Sequence, residues 1–186
     1  MTADLSNTTA AVTVTPGQKA QCITVINKTP FTIFISISAQ SGGSDKWFPV
    51  CSEGHETWTR TPGSFETVAA RDQYGRQVGE LVPVGSLVRV HNFDHPFVAK
   101  KSFSVAGTTE FDEIDVLNAS NESVEVMISS RSNPSGSEDW YMLGPGHADK
   151  WKRHGFEIVV VRSLSQATKV GVYVSCGSAV TFNRFV

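Results

Sequence analysis

The sequence predicts an all-β fold, an antiparallel β-sandwich built from two tandem, pseudo-symmetric repeats. Three observations support this prediction. The two halves of the 186-residue chain align with each other. Their matched segments alternate apolar and polar residues with a period of two, which is typical of half-buried strands. No stretch of the chain shows the periodicity of an amphipathic helix.

The repeat is clearest around the tryptophans. Residues 44–60, SDKWFPVCSEGHETWTR, align without a gap over residues 137–153, SEDWYMLGPGHADKWKR. This register pairs Trp47 with Trp140, Trp58 with Trp151 and Arg60 with Arg153, and it uses all 4 Trp of the chain. Repetition at a constant spacing indicates a structural unit that occurs twice.

The strands follow the same order in both repeats. ITVIN (23–27) matches IDVLN (114–118), and FTIFISIS (31–38) matches ESVEVMIS (122–129). In the second pair Ile33, Ile35 and Ile37 fall over Val124, Val126 and Ile128, whereas Phe34 falls over Glu125. Since successive side chains of a strand point to opposite faces, the inward face is kept and the outward face has diverged.

Three further pairs of β-branched segments follow: FETVAAR with FEIVVVR, VGELVPV with VGVYV, and LVRVH with AVTFN. Glycine-rich turns such as SGGSD, CSEGH and GPGH separate them. Each repeat therefore predicts five or six short strands. We expect antiparallel pairing, because parallel strands would need crossover helices.

The alignment also sets the predicted domain boundaries. Residues 1–10 are expected to form a disordered arm, residues 11–93 the first repeat, residues 94–102 a linker and residues 103–186 the second repeat. Because a repeat of this size is marginally stable alone and the linker is short, we expect the repeats to form one compact sandwich.

Composition excludes several classes of function. Charged residues make up 18% of the chain and the net charge is −2, which argues against binding to nucleic acid. No apolar run is long enough for a transmembrane helix, and the first residues lack the features of a secretory signal. An odd number of cysteines, 3, then fits reduced thiols in the cytoplasm. No phosphate-binding or dinucleotide-binding loop occurs, so no cofactor is expected.

Asn27 and Asn118 begin N-x-[ST] triplets at matched positions, as do Asn7 and Asn121 elsewhere. Such triplets are glycan acceptors in secreted proteins. In a cytoplasmic chain we interpret them as turn residues between strands.

A known family shows a similar order of motifs. The order is N-x-[ST], an alternating strand, [WY]-[FY]-x-[LV], a Gly-rich turn, W-x-R, an F-E strand and a G-x-[YL]-V hairpin. It resembles the small intracellular β-sandwich proteins called up-regulated in Daf-2 domain proteins. The second repeat matches best, through WYMLGPGHADKWKRHGFE. The first departs, with PVCSEGH at the turn and Leu81 where the family shows Tyr. The resemblance covers most of the chain and implies a protein that self-associates or pairs with relatives, without catalytic residues.

The repeated Trp and Arg side chains are the candidate ligand-binding residues: Trp47, Trp58, Arg60, Trp140, Trp151 and Arg153. Aromatic platforms of this kind bind sugars or cationic head groups. The alternative is architectural, with Trp packed at a sheet edge and Arg stacked on it. Trp58 and Trp151 share a strand face with the Arg two residues later. Retention in both repeats favours the architectural interpretation.

Two groups of residues belong to the first repeat alone. His91, Asp94 and His95 have the residue types of a transition-metal site, but the spacing of ligands on a helix does not apply to a strand end, so no metal is expected. Cys51, Glu53 and His55 alternate, so an extended strand would bring them to one face, where Cys-His chemistry is conceivable. No nucleophile elbow or comparable catalytic frame supports an enzyme.

The leading hypothesis is a non-enzymatic binding protein that acts through a protein partner or as a homo-oligomer. Phe34 is its candidate interface residue, because an outward Phe opposite a Glu in the other repeat suggests a covered patch. The second hypothesis is a carbohydrate- or lipid-head-group-binding module, similar to lectins or cytolysins, that uses exposed Trp. An enzyme that uses Cys51, His55, His91 and His95 is the remaining hypothesis.

Overall fold

A computed structural model describes residues 11–17, 19–40, 42–93, 102–107, 112–131, 136–165 and 168–186. These residues form 16 β-strands and no helix. The predicted all-β fold is therefore confirmed. Among the same residues, no helix has the length and apolar character needed to cross a membrane. The predicted arm (1–10), residues 94–101 of the predicted linker, and Asp94 and His95 lie outside the described ranges.

The chain divides into two compact units, Met1–Val98 and Ala99–Val186. Each unit consists of two four-stranded sheets, and each has its own hydrophobic core. The tandem β-sandwich repeats are thus confirmed. The joining of the repeats in one compact sandwich stays a prediction.

The first unit contains eight strands. They are β1 (Val12–Pro16), β2 (Cys22–Asn27), β3 (Ile33–Ile37), β4 (Phe48–Val50), β5 (His55–Thr59), β6 (Phe65–Arg71), β7 (Gln77–Pro83) and β8 (Ser86–Val90). The first sheet has the order β1-β8-β2-β5, and the second sheet has the order β4-β3-β6-β7. Alternate residues of both sheets, such as Ile23, Val25, Ile33 and Ile35, are fully buried in the core between them.

The second unit repeats this plan. Its strands are β9 (Phe103–Gly107), β10 (Glu113–Asn118), β11 (Val124–Ile128), β12 (Tyr141–Leu143), β13 (Ala148–Lys152), β14 (Phe156–Ser163), β15 (Lys169–Ser175) and β16 (Ser178–Phe182). The third sheet, β13-β10-β16-β9, corresponds to the first sheet, and the fourth sheet, β12-β11-β14-β15, corresponds to the second. Val124, Val126 and Ile128 face the core, as their alternation predicts.

One pair of strands in each unit departs from the expected antiparallel pattern. β2 pairs with β8 in parallel, and β10 pairs with β16 in parallel. The expectation rested on the need for crossover helices between parallel strands. Here the strands of the opposite sheet connect the parallel pair, so the chain makes the crossover without a helix.

Turns of the same conformation occur at matched positions in the two units. Gly85 and Gly177, with φ of 100° and 79°, lie in the tight turns from β7 to β8 and from β15 to β16, where the chain passes from one sheet of the unit to the other. A positive φ there favours glycine, because a Cβ atom would be strained in this conformation.

The N-x-[ST] triplets at the end of β2 and β10 form the other matched turn. The Asn27 side-chain amide donates to the carbonyls of Phe31 and Val50 at 2.8 and 3.0 Å. Its oxygen accepts from the Thr29 backbone and hydroxyl at 2.9 and 2.7 Å. Asn118 makes the same four contacts in the second unit, and both Asn side chains are fully buried. Their predicted role in turns is confirmed, and a buried amide cannot accept a glycan.

Candidate functional site

The four tryptophans fall into two structural classes. Trp58 packs against the core of the first unit and meets Phe48 of β4 edge-on, with ring centroids 6.1 Å apart. Trp151 is 7% exposed, and it meets Tyr141 of β12 in the same way at 5.9 Å. Each of these Trp side chains therefore closes one side of its sandwich, between the edge strands of the two sheets.

Arg60 and Arg153 are buried, and their donors point to backbone carbonyls. Arg60 donates to Ser38 O at 3.0 Å, Thr59 O at 2.9 Å and Ser44 O at 2.9 Å. Arg153 donates to the carbonyls of Ser129, Lys152 and Ser137 at 2.9, 2.8 and 2.7 Å. A guanidinium with five donors in a planar fork is suited to such a set of acceptors. Both side chains therefore anchor a loop to the end of the sandwich.

Beside each Arg lies a carboxylate that sequence reasoning missed. Glu66 and Glu157 are fully buried. Ser38 donates its hydroxyl to Glu66, and Ser129 donates its hydroxyl to Glu157. Arg60 Nε is 4.0 Å from Glu66 Oε1. The repeated F-E dipeptide was visible in the sequence, but strand parity alone does not show that a Glu points into the core.

The other two tryptophans lie on the outer faces of the second and fourth sheets. The guanidinium carbon of Arg71 is 4.4 Å from the ring centroid of Trp47. In the second unit Arg162 is 4.1 Å from the ring of Trp140, and Lys169 Nζ is 5.6 Å from it. The cations on these rings thus come from β6, β14 and β15. Each ring already has a cationic partner from its own chain. Arg60 and Arg153, which the sequence suggested as stacking partners of Trp58 and Trp151, donate to backbone carbonyls instead.

Phe34 lies on the outer face of the second sheet, where Arg71 contacts both its ring and that of Trp47. It pairs with Pro49 on one side and Arg71 on the other, and Arg71 lies 5.5 Å above its half-buried ring. At the equivalent position Glu125 forms an ion pair with Arg162. This hydrogen-bonded ion pair holds the pKa of the Glu125 carboxyl below its usual range. The Arg at this matched position thus contacts the ring of Phe34 in the first unit, as Arg71, and the carboxylate of Glu125 in the second unit, as Arg162.

The edge strands β4 and β12 differ most between the units. Residue 49 of β4 is Pro, whereas Met142 occupies the matching place in β12, opposite Glu125. Met142 is 70% exposed and Tyr141 is 38% exposed. Because Pro has no N–H, it limits the pairing of an edge strand with another chain. The edge of the fourth sheet lacks this protection and presents an apolar surface.

The structure does not form the extended strand that would align Cys51 and Glu53 with His55. Cys51 and Glu53 lie in the turn between β4 and β5, where Gly54 N donates to Cys51 O at 2.9 Å. Cys51, Glu53 and His55 are all exposed, and Glu53 forms an ion pair with Lys28. His91 Nε2 lies 3.0 Å from Thr13 Oγ1. Because β2 separates β8 from β5, His91 and His55 lie at least two strand spacings, about 10 Å, apart. Among the described residues, no group of three or more His, Cys, Asp or Glu side chains could hold a metal ion.

Neither a family model nor a curated protein matches this chain. The functional argument below therefore rests on the residues and their geometry.

Proposed function

We propose that this chain is a non-enzymatic, cytosolic binding protein that self-associates through β12 of its second unit. The carrying observation is the exposure of Met142, 70%, at the centre of an edge strand. The half-buried Trp140, two residues before Met142, extends the apolar surface on the same face, whereas Tyr141 lies on the opposite face of the strand. Exposed apolar side chains on an open sheet edge favour pairing with a further strand.

The charges near β12 favour a second copy of the chain as the binding partner of this strand. Two β12 strands can pair antiparallel across a two-fold axis, which places the same patch of each copy against the other. The contact between Tyr141 and Trp151 puts β12 and β13 on one side of the unit. That side carries exposed Asp139 and exposed Lys152, so it is complementary in charge to itself.

Two further observations support the proposal. The first unit has Pro49 in the corresponding edge strand, which leaves the second unit as the side open to pairing. Cys22, Cys51 and Cys176 are all free thiols, and Cys51 is exposed. An exposed free thiol fits a reducing compartment such as the cytosol. Self-association is also what the resemblance to the up-regulated in Daf-2 domain proteins implies.

The second hypothesis, binding of a sugar or lipid head group by exposed Trp, has less support. Trp151 and Trp58 pack in or against the cores. Trp47 and Trp140 each stack with a cation of their own chain, which competes with a ligand for the ring. Exposed aromatic platforms need rings that a ligand reaches without displacing such a partner.

Sedimentation velocity over a range of protein concentrations tests the proposal. We expect the wild type to form a dimer. We expect Met142→Lys to weaken the dimer at least about tenfold, since a buried unpaired charge costs more than the roughly 1.4 kcal/mol that a tenfold change requires. Leu164→Ser, which changes another exposed apolar side chain, is the matched control and leaves the dimer intact.

Two results would contradict the proposal. One is a wild type that stays monomeric at all concentrations. The other is a dimer that survives Met142→Lys but dissociates in Phe34→Glu, which would locate the contact on the outer face of the first unit instead.

A further inference from the structure

A groove of about 300 Å³ lies on the outer face of the first sheet. Six residues line it: Gly17, Lys19, Thr24, His55, Thr57 and Leu87. They come from strands β2, β5 and β8 and from the segment after β1, so the fold assembles the groove from distant parts of the unit. The groove belongs to the first unit, whereas β12 belongs to the second.

Cationic and hydroxyl groups surround the groove. Two rows of paired residues cross this face: Thr15–Leu87–Thr24–Thr57 and Thr13–Arg89–Ile26–His55. None of these eight residues is acidic. The Thr24 and Thr57 hydroxyls are 3.1 Å apart on the floor of the groove. Thr15, at the other end of the same row, accepts a hydrogen bond from Arg89 Nη1 at 3.2 Å. Lys19 and Arg89 therefore contribute positive charge to a surface rich in hydrogen-bonding groups.

The corresponding surface of the second unit carries different residues. Asp115 replaces Thr24, Lys150 replaces Thr57, and Ala148 replaces His55. Lys150 Nζ lies 3.2 Å from Glu113 and 3.7 Å from Asp115, so charges of both signs neutralise each other there. Thr181 stands in the place of Arg89, which removes another cation. Within the described residues of these matched strands, the combination of positive charge and hydroxyl groups thus belongs to the first unit.

We propose that this groove binds a small hydroxylated ligand that carries a phosphomonoester. Lys and Arg are the side chains that bind phosphate, through charge-assisted hydrogen bonds. The Thr hydroxyls and the His55 imidazole supply donors and acceptors for the hydroxyl groups of a sugar. Leu87 supplies an apolar surface for its carbon atoms. A volume of about 300 Å³ fits a ligand the size of a sugar phosphate and is small for a macromolecule.

Calorimetric titration of the full chain with glucose 6-phosphate tests the proposal, with glucose and inorganic phosphate as comparison ligands. We expect glucose 6-phosphate to bind at least about tenfold more tightly than glucose, and its affinity to fall as salt is added, because salt screens charges at an open site. Vesicles that contain phosphatidic acid, which exposes a phosphomonoester, form a second arm. Binding to these vesicles that glucose 6-phosphate displaces identifies a lipid head group as the source of the phosphate. Binding in solution alone identifies a soluble ligand.

The decisive variant replaces two groove residues of the first unit by the residue types found at the matching positions, 115 and 150, of the second unit. Thr24→Asp with Thr57→Lys places a carboxylate and its partner on the floor of the groove, in a pairing that the second unit already tolerates. We expect the affinity for glucose 6-phosphate to fall at least about tenfold, with an unchanged urea midpoint. The reciprocal variant, Asp115→Thr with Lys150→Thr, leaves the affinity unchanged.

Equal affinity in the Thr24→Asp, Thr57→Lys variant would overturn the proposal, as would a wild type that binds none of the phosphate-bearing ligands at millimolar concentration. The Met142→Lys variant distinguishes a failure of this proposal from a failure of the proposed self-association. That variant removes the dimer contact and leaves the groove intact, so it should bind glucose 6-phosphate as the wild type does.

Discussion

At the scale of single residues, each sandwich buries an Arg and a Glu, Arg60 with Glu66 and Arg153 with Glu157. Arg60 and Glu66 are both shielded from water, which is costly unless each has polar partners. Arg60 contacts four carbonyls, and Glu66 accepts from Ser38. Gly43 is also part of this arrangement, because a Cβ atom there would come within 2.5 Å of the guanidinium. The Arg thus connects the loop after β3 to the sheet end.

Replacing Arg60 by Met should therefore destabilise the chain strongly. The substitution leaves Glu66 buried without its cation and removes the donors to four carbonyls. We expect the free energy of unfolding to fall by about 3–5 kcal/mol, as for other broken buried ion pairs. Urea denaturation measures it. Lys46→Met, which removes a positive charge from an exposed site, serves as the control. Equal effects of the two substitutions would show that burial does not matter here.

At the scale of elements, the turns after β2 and β10 depend on one side chain each. Asn118 connects the turn to two strands, since its amide donates to Glu122 O at 2.9 Å and Leu143 O at 3.0 Å. Its oxygen accepts from the backbone of Ser120 at 3.1 Å. Ser120 also donates its hydroxyl to Asn118 at 2.6 Å. The side chain thereby holds β12, the proposed contact strand, in register with the turn before β11.

The same turn provides a matched pair of substitutions. Asn118→Ala removes the amide donor to Glu122 O and to the buried Leu143 O, and we expect it to lower the free energy of unfolding by about 3 kcal/mol. Asn121→Ala, three residues later at an exposed position, should change it by less than about 0.5 kcal/mol. Chemical denaturation of both variants measures the difference. Similar losses in the two variants would argue against the role given to the buried amide.

At the scale of the whole molecule, the two units differ in their titratable groups. Burial raises the pKa of Tyr173 well above its usual range, and that side chain corresponds to Leu81 in the first unit. Burial and the nearby Glu157 raise the pKa of Cys176 to about 11. Cys176 is partly exposed, so solvent weakens its effect on stability. We therefore expect the second unit to lose stability at alkaline pH.

A raised pKa means that the folded state holds its proton more tightly than the unfolded chain. The stability contributed by neutral Tyr173 is complete below about pH 10, the ordinary tyrosine pKa, and falls as the pH rises further. We expect the urea midpoint to drop as the pH rises above about 10, and Tyr173→Phe to reduce that drop. Tyr74→Phe, which changes a tyrosine that is 77% exposed, is the control. An unchanged drop in Tyr173→Phe would refute the assignment.

The sequence by itself determined the duplication, the strands with their inward faces, and the turns at Asn27 and Asn118. These features depend on neighbours within a few residues, where the period of a strand or the geometry of a turn restricts the choice of side chain. The tertiary structure alone decided that Arg71, from β6, stacks on Trp47, and that Glu66 points into the core. It also decided that β2 lies parallel to β8 and that Lys19 and His55 share one groove. These contacts join strands far apart in the chain, and their register depends on hydrogen bonding and packing across the whole sheet, which local periodicity does not encode.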